Sequence, residues 1–558
     1  MSATNLKAVI QKLSQGAVES VQSGSKLDRL SDYMHIVRPI ERQLMEKMQA
    51  IENEGGGIVL LIGSAGDGKS HLISCVKKAM PETSFFFYND ATASASPKRT
   101  AIETLKEALV EFKDASLAQT HQKLVLAINM GKLIAFVDDQ EVQDEYKELV
   151  KVAYPVIDDD DLTNPEDTYR VKTVLFPNHQ IFEIDKTNVD VEYPVNSVFL
   201  SSIFEKIVNP VDDNPFYLAY KKDISDTDNI NDPVILNYEL LCNPSVRATI
   251  VKYIIEAIVR FRLIITPREF LDFVYNILVY PRLSQYKENR DFYDALLPNL
   301  LFCGGDNRIQ KAMSNLDPIK SSSTEHDKML SLFFTSYSIP DMCFPQELQN
   351  QVPDYIISRT NKFYQDNGRN IEATTQFLFR LMHLFNYESE NDCYKSYLKV
   401  LQSVFRKDIS NLTSLFKLVA TAIPRHYGSY YSKNNMIPLS IQGGNYKLFA
   451  KLSMKPKDII PICWDSSDNE FLLNFIMKWN CDGHEVKLPM NFQLYEYISK
   501  LGEGRLAISY DNDKDIAFSR FVRELSTLCT SSMDEVIIVA PNGSEKSLSE
   551  SLNTIQLL

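Results

Sequence analysis

The chain has 558 residues, too many for one hydrophobic core, so about three or four domains are expected. Its 44% hydrophobic, 24% charged and 11% aromatic content is that of a folded globular protein and excludes disorder on a large scale. A formal net charge of −14 argues against a stand-alone, high-affinity nucleic-acid binder, because phosphate neutralisation leaves a basic footprint.

The opening Met1-Ser2-Ala3-Thr4-Asn5-Leu6 lacks a basic region followed by an apolar stretch, so no secretory signal is expected. No apolar run approaches the roughly 20 residues of a membrane span, and a cytoplasmic protein without membrane contact is anticipated. Cysteines 75, 242, 303, 343, 393, 463, 481 and 529 are scattered with no short spacing. They show no metal-finger pattern and read as buried or incidental thiols of a reducing compartment.

Residues up to about Ile51 read as polar helix, followed by the loop Glu54-Gly55-Gly56-Gly57. Apolar runs then alternate with amphipathic stretches: strand at Ile58 to Ile62, helix at Ser70 to Met80, strand at Ser84 to Tyr88, helix at Thr100 to Phe112, strand at Leu124 to Ile128. This alternation predicts a parallel sheet covered on both faces. Leu133 to Ala153 has helical spacing, and Asp158 to Asp161 reads as a solvated acidic loop. Strand-like pieces follow at Val171 to Phe176 and Val195 to Leu200. Val234 to Tyr280 is strongly helical, and helical character continues to about Ile423. Shorter apolar segments then appear at Val486 to Leu488, Leu506 to Ser509 and Glu535 to Ala540.

The expected domains are an N-terminal helical segment (1–40), a nucleotide-binding α/β domain with an insertion (41–235) and a helical lid (236–335). A further helical region (336–425) and a C-terminal α+β or β-rich domain (426–558) follow.

The segment Gly63-Ser64-Ala65-Gly66-Asp67-Gly68-Lys69-Ser70 satisfies G-x-x-x-x-G-K-[ST] between an apolar strand and a helix, the context of a P-loop. Its glycines let successive N–H groups turn toward a β-phosphate, and the following helix adds its positive end. In that reading Lys69 bridges β- and γ-phosphates and Ser70 offers its hydroxyl to Mg²⁺, so ATP, or another nucleoside triphosphate, with Mg²⁺ is the expected cofactor.

The acid that hydrolysis requires is harder to place. Asp138 and Asp139 follow an apolar run, but only Met130-Gly131-Lys132 separate that run from the preceding strand, too few for a parallel crossover. They are assigned to a solvated helix face. Asp90, at a strand tip, is the candidate magnesium-side acid or a turn residue, and Asn129 is a candidate γ-phosphate sensor or a turn cap. Arg268, at a helix start after Thr266 and Pro267, is placed to reach a γ-phosphate from a lid or to be an ordinary surface residue. Arg247 and Arg260 are weaker candidates.

Several segments resemble the DptF family, the P-loop component of DNA phosphorothioation-dependent restriction systems. They are Gly63 to Ser70, Tyr88-Asn89-Asp90-Ala91-Thr92 leading into Pro97 to Leu105, and Leu126-Ala127-Ile128-Asn129-Met130-Gly131. Weaker similarities lie at His35 to Glu41, Asn214 to Tyr217, Thr266 to Glu269, Leu296 to Phe302 and Leu316 to Pro318. The resemblance implies an AAA+-like ATPase module, an oligomer or hetero-complex member, acting with DptG- and DptH-like partners against DNA that lacks the phosphorothioate mark. No nuclease constellation is seen in this chain, so cleavage or unwinding would fall to a partner, and DNA contact would be indirect or through partners. The alternatives are a nucleotide-gated scaffold with weak or no hydrolysis, and an origin-recognition-like or signalling AAA+ protein unrelated to restriction.

Overall fold

The computed structural model describes residues 5–22, 29–63, 67–89, 101–157, 167–176, 181–185, 187–188, 190–226, 231–280, 289–320, 324–336, 338–341, 344–365, 371–389, 391–429, 436–439, 446–461, 474–506, 516–531, 536–540, 544–551 and 554–557. The chain divides into two compact units, one of residues 1–182 and 196–390, the other of 183–195 and 391–558.

The first unit begins with helices α1 (Asn5–Gln22), α2 (Arg29–Met34) and α3 (Pro39–Asn53). A mixed α/β core follows: β1 (Gly57–Gly63), α4 (Lys69–Ala79), β2 (Phe86–Asn89), α5 (Ala101–Ala108), α6 (Asp114–Leu117), β3 (Lys123–Asn129), α7 (Met130–Val137), α8 (Gln140–Glu145), α9 (Lys147–Ile157) and β4 (Val171–Leu175). The four strands form one parallel sheet in the order β2-β3-β1-β4. Every residue of β1 is buried, as the continuous run Ile58-Val59-Leu60-Leu61-Ile62 requires of a strand covered on both faces. On one face Val59, Leu61, Val125, Ala127 and Val174 pack with Ile40, Leu44, Met48 and Ile51 of α3 and with Leu72, Ile73 and Val76 of α4.

Two local readings resolve differently from a single long element. The helical stretch after β3 is three helices, because Asp139 Oδ1 accepts from the Glu141 and Val142 amides and starts α8 afresh. The strand expected over Val195 to Leu200 is corrected: extended pairing stops at Asn196, and helix α10 (Val198–Val208) starts there. Ser197 Oγ accepts from the Leu200 amide at 3.1 Å, and this cap overrides the β-branched neighbours.

The remainder of this unit is helical, with α11 (Pro215–Ile224), α12 (Pro233–Cys242), α13 (Pro244–Phe261) and α14 (Pro267–Leu278) followed by further helices to Phe385. Asn237, fully buried, ties three segments together by donating to Leu278 O and Ala295 O and accepting from Leu297 N.

The second unit is α+β. Strands Met454–Pro461, Phe475–Cys481 and His484–Met490 form an antiparallel sheet. Met436–Pro438, Lys447–Lys451, Val536–Val539, Glu545–Ser551 and Thr554–Leu557 form another. Trp479 sits with its ring centroid 5.0 Å from those of Phe416 and Phe521, on helices Ile409–His426 and Ile516–Ser531. Val486 to Leu488 and Val536 to Val539 are strands as expected, while residues 507–509 of the segment from Leu506 to Ser509 lie outside the described residues. Among the described residues no helix is long and apolar enough to cross a membrane.

Candidate phosphate-binding site

Gly63 ends β1 and is the register partner of Asn129, the last residue of β3. The crossover from β1 runs past β3 to β2, whereas that from β3 runs the other way, past β1 to β4. Right-handed connections in opposite directions put the following helices on opposite faces, opening a crevice between these two strand ends. In open parallel sheets such a switch point is where ligands bind.

The loop entering α4 is shaped by two glycines. A Cβ on Gly63 would lie 2.7 Å from Asp67 Oδ2 and 2.9 Å from Phe176 Cβ, so only glycine fits there. Gly68 is the N-cap of α4 with φ 94°, a left-handed conformation that glycine adopts without penalty. The N-cap Gly68 contributes no side-chain bond to α4, and the first turn carries no acid. The first-turn amides lie at the positive end of the helix dipole, where an anion is favoured.

Lys69 Nζ donates to Gly63 O at 2.9 Å, folding the ammonium back over the loop. Ser70 Oγ accepts from Asn89 Nδ2 at 2.7 Å. Asn89 ends β2, so the hydroxyl is held from the tip of the edge strand, on the far side of β3. Asn129 Oδ1 accepts from the Lys132 amide at 2.9 Å and caps α7. The same bond fixes its side chain at the β3 tip. Ser64, Ala65, Gly66 and Asp90 lie outside the described residues.

Arg38 and Asn89 are the residues that sequence reasoning passed over. Arg38 Nη2 stands 3.3 Å from where a Gly68 Cβ would be, and its guanidinium lies 5.4 Å from the Phe176 ring centroid and 5.7 Å from that of Phe199. Burial pulls its pKa below the ordinary value, while the charges of Asp67, Glu41 and Cys75 oppose the shift; arginine stays a cation under that balance. The signal for Arg38 was its place before Pro39 in the His35 to Glu41 segment, but nothing local ties that segment to a loop thirty residues on.

The other acids and arginines have positions of their own. Asp138 is exposed at the end of α7. Asp139 caps α8 and pairs with Lys106 at 2.7 Å, and the Lys106 hydrogen bond holds its carboxyl below the usual range. Arg268 is exposed in the first turn of α14, behind a capping box of Thr266 and Glu269, with Asp272 as its charged neighbour. Arg247 donates to Leu241 O, Cys242 O and Glu205, and Arg260 to Glu256 at 2.7 Å, partners that anchor helix ends and helix faces.

The donor set suits a polyanion: the helix N-terminal amides, one ammonium, one half-buried guanidinium and a held hydroxyl. Comparison with family models, with curated proteins and with solved structures gives no match to this chain.

Proposed function

We propose that this protein binds ATP with Mg²⁺ at Gly63 to Ser70, as a P-loop, AAA+-like subunit. The observation that carries the reading is the G-x-x-x-x-G-K-S loop leaving the central strand at the switch point, next to the Asn129 tip, into a helix with no side-chain cap. In this reading the α4 amides and Lys69 bind the β- and γ-phosphates, Ser70 is a magnesium ligand, and Asn129 senses the γ-phosphate. Arg38 adds positive charge behind Gly68, and Arg268 would act only from a closed lid.

The similarity of Gly63 to Ser70, Tyr88 to Leu105 and Leu126 to Gly131 to the DptF family supports a place in a cytoplasmic, multi-protein antiviral restriction system. That system would attack DNA lacking the phosphorothioate mark, with DptG- and DptH-like partners, and this chain would supply nucleotide-driven assembly or conformational change. Lys69→Ala is expected to abolish ATP turnover and, with partners present, restriction of unmodified plasmid; intact restriction in that variant rejects the mechanism.

A second reading is a nucleotide-gated scaffold that binds ATP with little turnover. It is favoured by the neutral amide of Asn89, rather than a carboxylate, at Ser70 Oγ, and by the commitment of Asp139 to Lys106 and the α8 cap. Tight binding without turnover, even with partners and DNA, selects it. Asp90, the remaining candidate acid, separates the two when changed to Asn: loss of turnover with binding retained assigns hydrolysis to this chain.

A further inference from the structure

We propose that His35, His71 and Cys75 form a binding site for a single zinc ion, with water in the fourth position. His35 Nδ1 is 3.1 Å from His71 Nε2, and Cys75 Sγ is 3.4 Å from the first and 3.5 Å from the second. Zinc bonds of about 2.0–2.1 Å to nitrogen and about 2.3 Å to sulfur put tetrahedral ligands roughly 3.3 Å apart for N···N and roughly 3.5 Å for N···S. The three atoms already stand at that spacing. Among the described residues this is the one group of three or more His, Cys, Asp or Glu side chains close enough to share an ion.

The surroundings match a ligand set as well. His71 and Cys75 are one turn apart on α4, whose backbone fixes their common face, and His35 reaches them from the segment before α3. The far nitrogen of His35, Nε2, is 3.3 Å from the buried Glu41 carboxylate. A carboxylate only accepts, so Nε2 carries the hydrogen and Nδ1 presents its lone pair to the cluster, the outer-shell arrangement of many zinc-bound histidines. Zinc binding would displace the thiol proton, releasing one proton to solvent as the Zn–S bond forms. His35 and His71 are only partly buried, leaving a path for the ion.

The site would clamp the segment that carries Arg38 onto α4, one residue beyond Ser70. The inference stands on this geometry and not on the nucleotide reading, and its test reads metal alone. The full chain, purified without a histidine tag, is expected to hold about one zinc per chain after exhaustive dialysis, and Cys75→Ser and His71→Asn less than about one-tenth of that. Glu41→Gln is expected to weaken zinc about ten- to a hundredfold. Because a variant at a buried position can misfold, the wild-type chain is also reconstituted with Co²⁺, where a thiolate-to-cobalt charge-transfer band is expected. Absence of that band, no retained zinc in the reconstituted wild type, or equal zinc in folded Cys75→Ser overturns the proposal and leaves a hydrogen-bonded cluster.

Discussion

Asn89 Nδ2 donates to Ser70 Oγ at 2.7 Å, joining the tip of the edge strand to the first turn of the loop helix. A hydroxyl that accepts this bond keeps a donor hydrogen and a second lone pair. If Ser70 is a magnesium ligand, Asn89→Ala removes its positioning group. Loss of one such bond is worth about 1 kcal/mol, or roughly fivefold in affinity. The variant should therefore bind ATP about fivefold more weakly in Mg²⁺ and unchanged in EDTA, read by titration calorimetry; an equal loss in both buffers would place Asn89 outside the metal shell.

Gly63→Ala tests the close approach at the β1 tip. Its methyl would meet Phe176 Cβ at 2.9 Å, and backbone-linked atoms yield little. Overpacking of this kind costs about 1–3 kcal/mol, so a lower midpoint in chemical denaturation should accompany weaker nucleotide binding. A variant of wild-type stability would show that the loop relaxes freely.

Arg38→Met keeps most of the aliphatic stem against Phe176 and Phe199 but removes the cation behind Gly68. A charged partner is worth about 1.5–3 kcal/mol, so triphosphate affinity should fall by at least about tenfold. Binding that is unchanged assigns Arg38 to folding alone, through Asp67 and Glu41.

The second unit carries its own pH dependence. His426 is 3% exposed, bonded to Tyr497 Oη at 2.7 Å and to Ser519 Oγ at 3.2 Å, and burial pushes its pKa down to about 4. The unfolded chain takes up this proton near pH ~6.5 and the folded one only near pH ~4. The stability contribution is therefore complete above pH ~6.5, declines as pH falls toward ~4, and is worth about 3 kcal/mol in all. Both tryptophans, Trp464 and Trp479, belong to this unit, so fluorescence-monitored urea unfolding reports on it directly. The difference between wild type and His426→Asn should shrink from pH 7 to pH 4; a pH-independent difference would show that folding leaves the His426 pKa unshifted.

The parallel sheet was legible because β1 and β3 are uninterrupted apolar runs bounded by glycine or asparagine, and because Met130-Gly131-Lys132 is too short for a crossover. The strand before Gly63 and the helix after Gly68 were legible for the same local reason: motif, strand and helix are contiguous. Asn89 and Arg38 were not, since one acts from the edge strand beyond β3 and the other from a helix entry thirty residues upstream. The same holds for His35 beside His71 and Cys75: a ligand set split between two elements leaves no spacing to read. Val195 to Leu200 misled for the opposite reason, because its β-branched residues outnumber the single serine whose cap starts α10.

Titration calorimetry of the full chain with Mg-ATP tests triphosphate binding at Gly63 to Ser70. Saturable binding of about one nucleotide per chain is expected, weakened at least about tenfold by Lys69→Ala through loss of the phosphate-bound ammonium. No heat with the wild type, or equal affinity in Lys69→Ala, would contradict it.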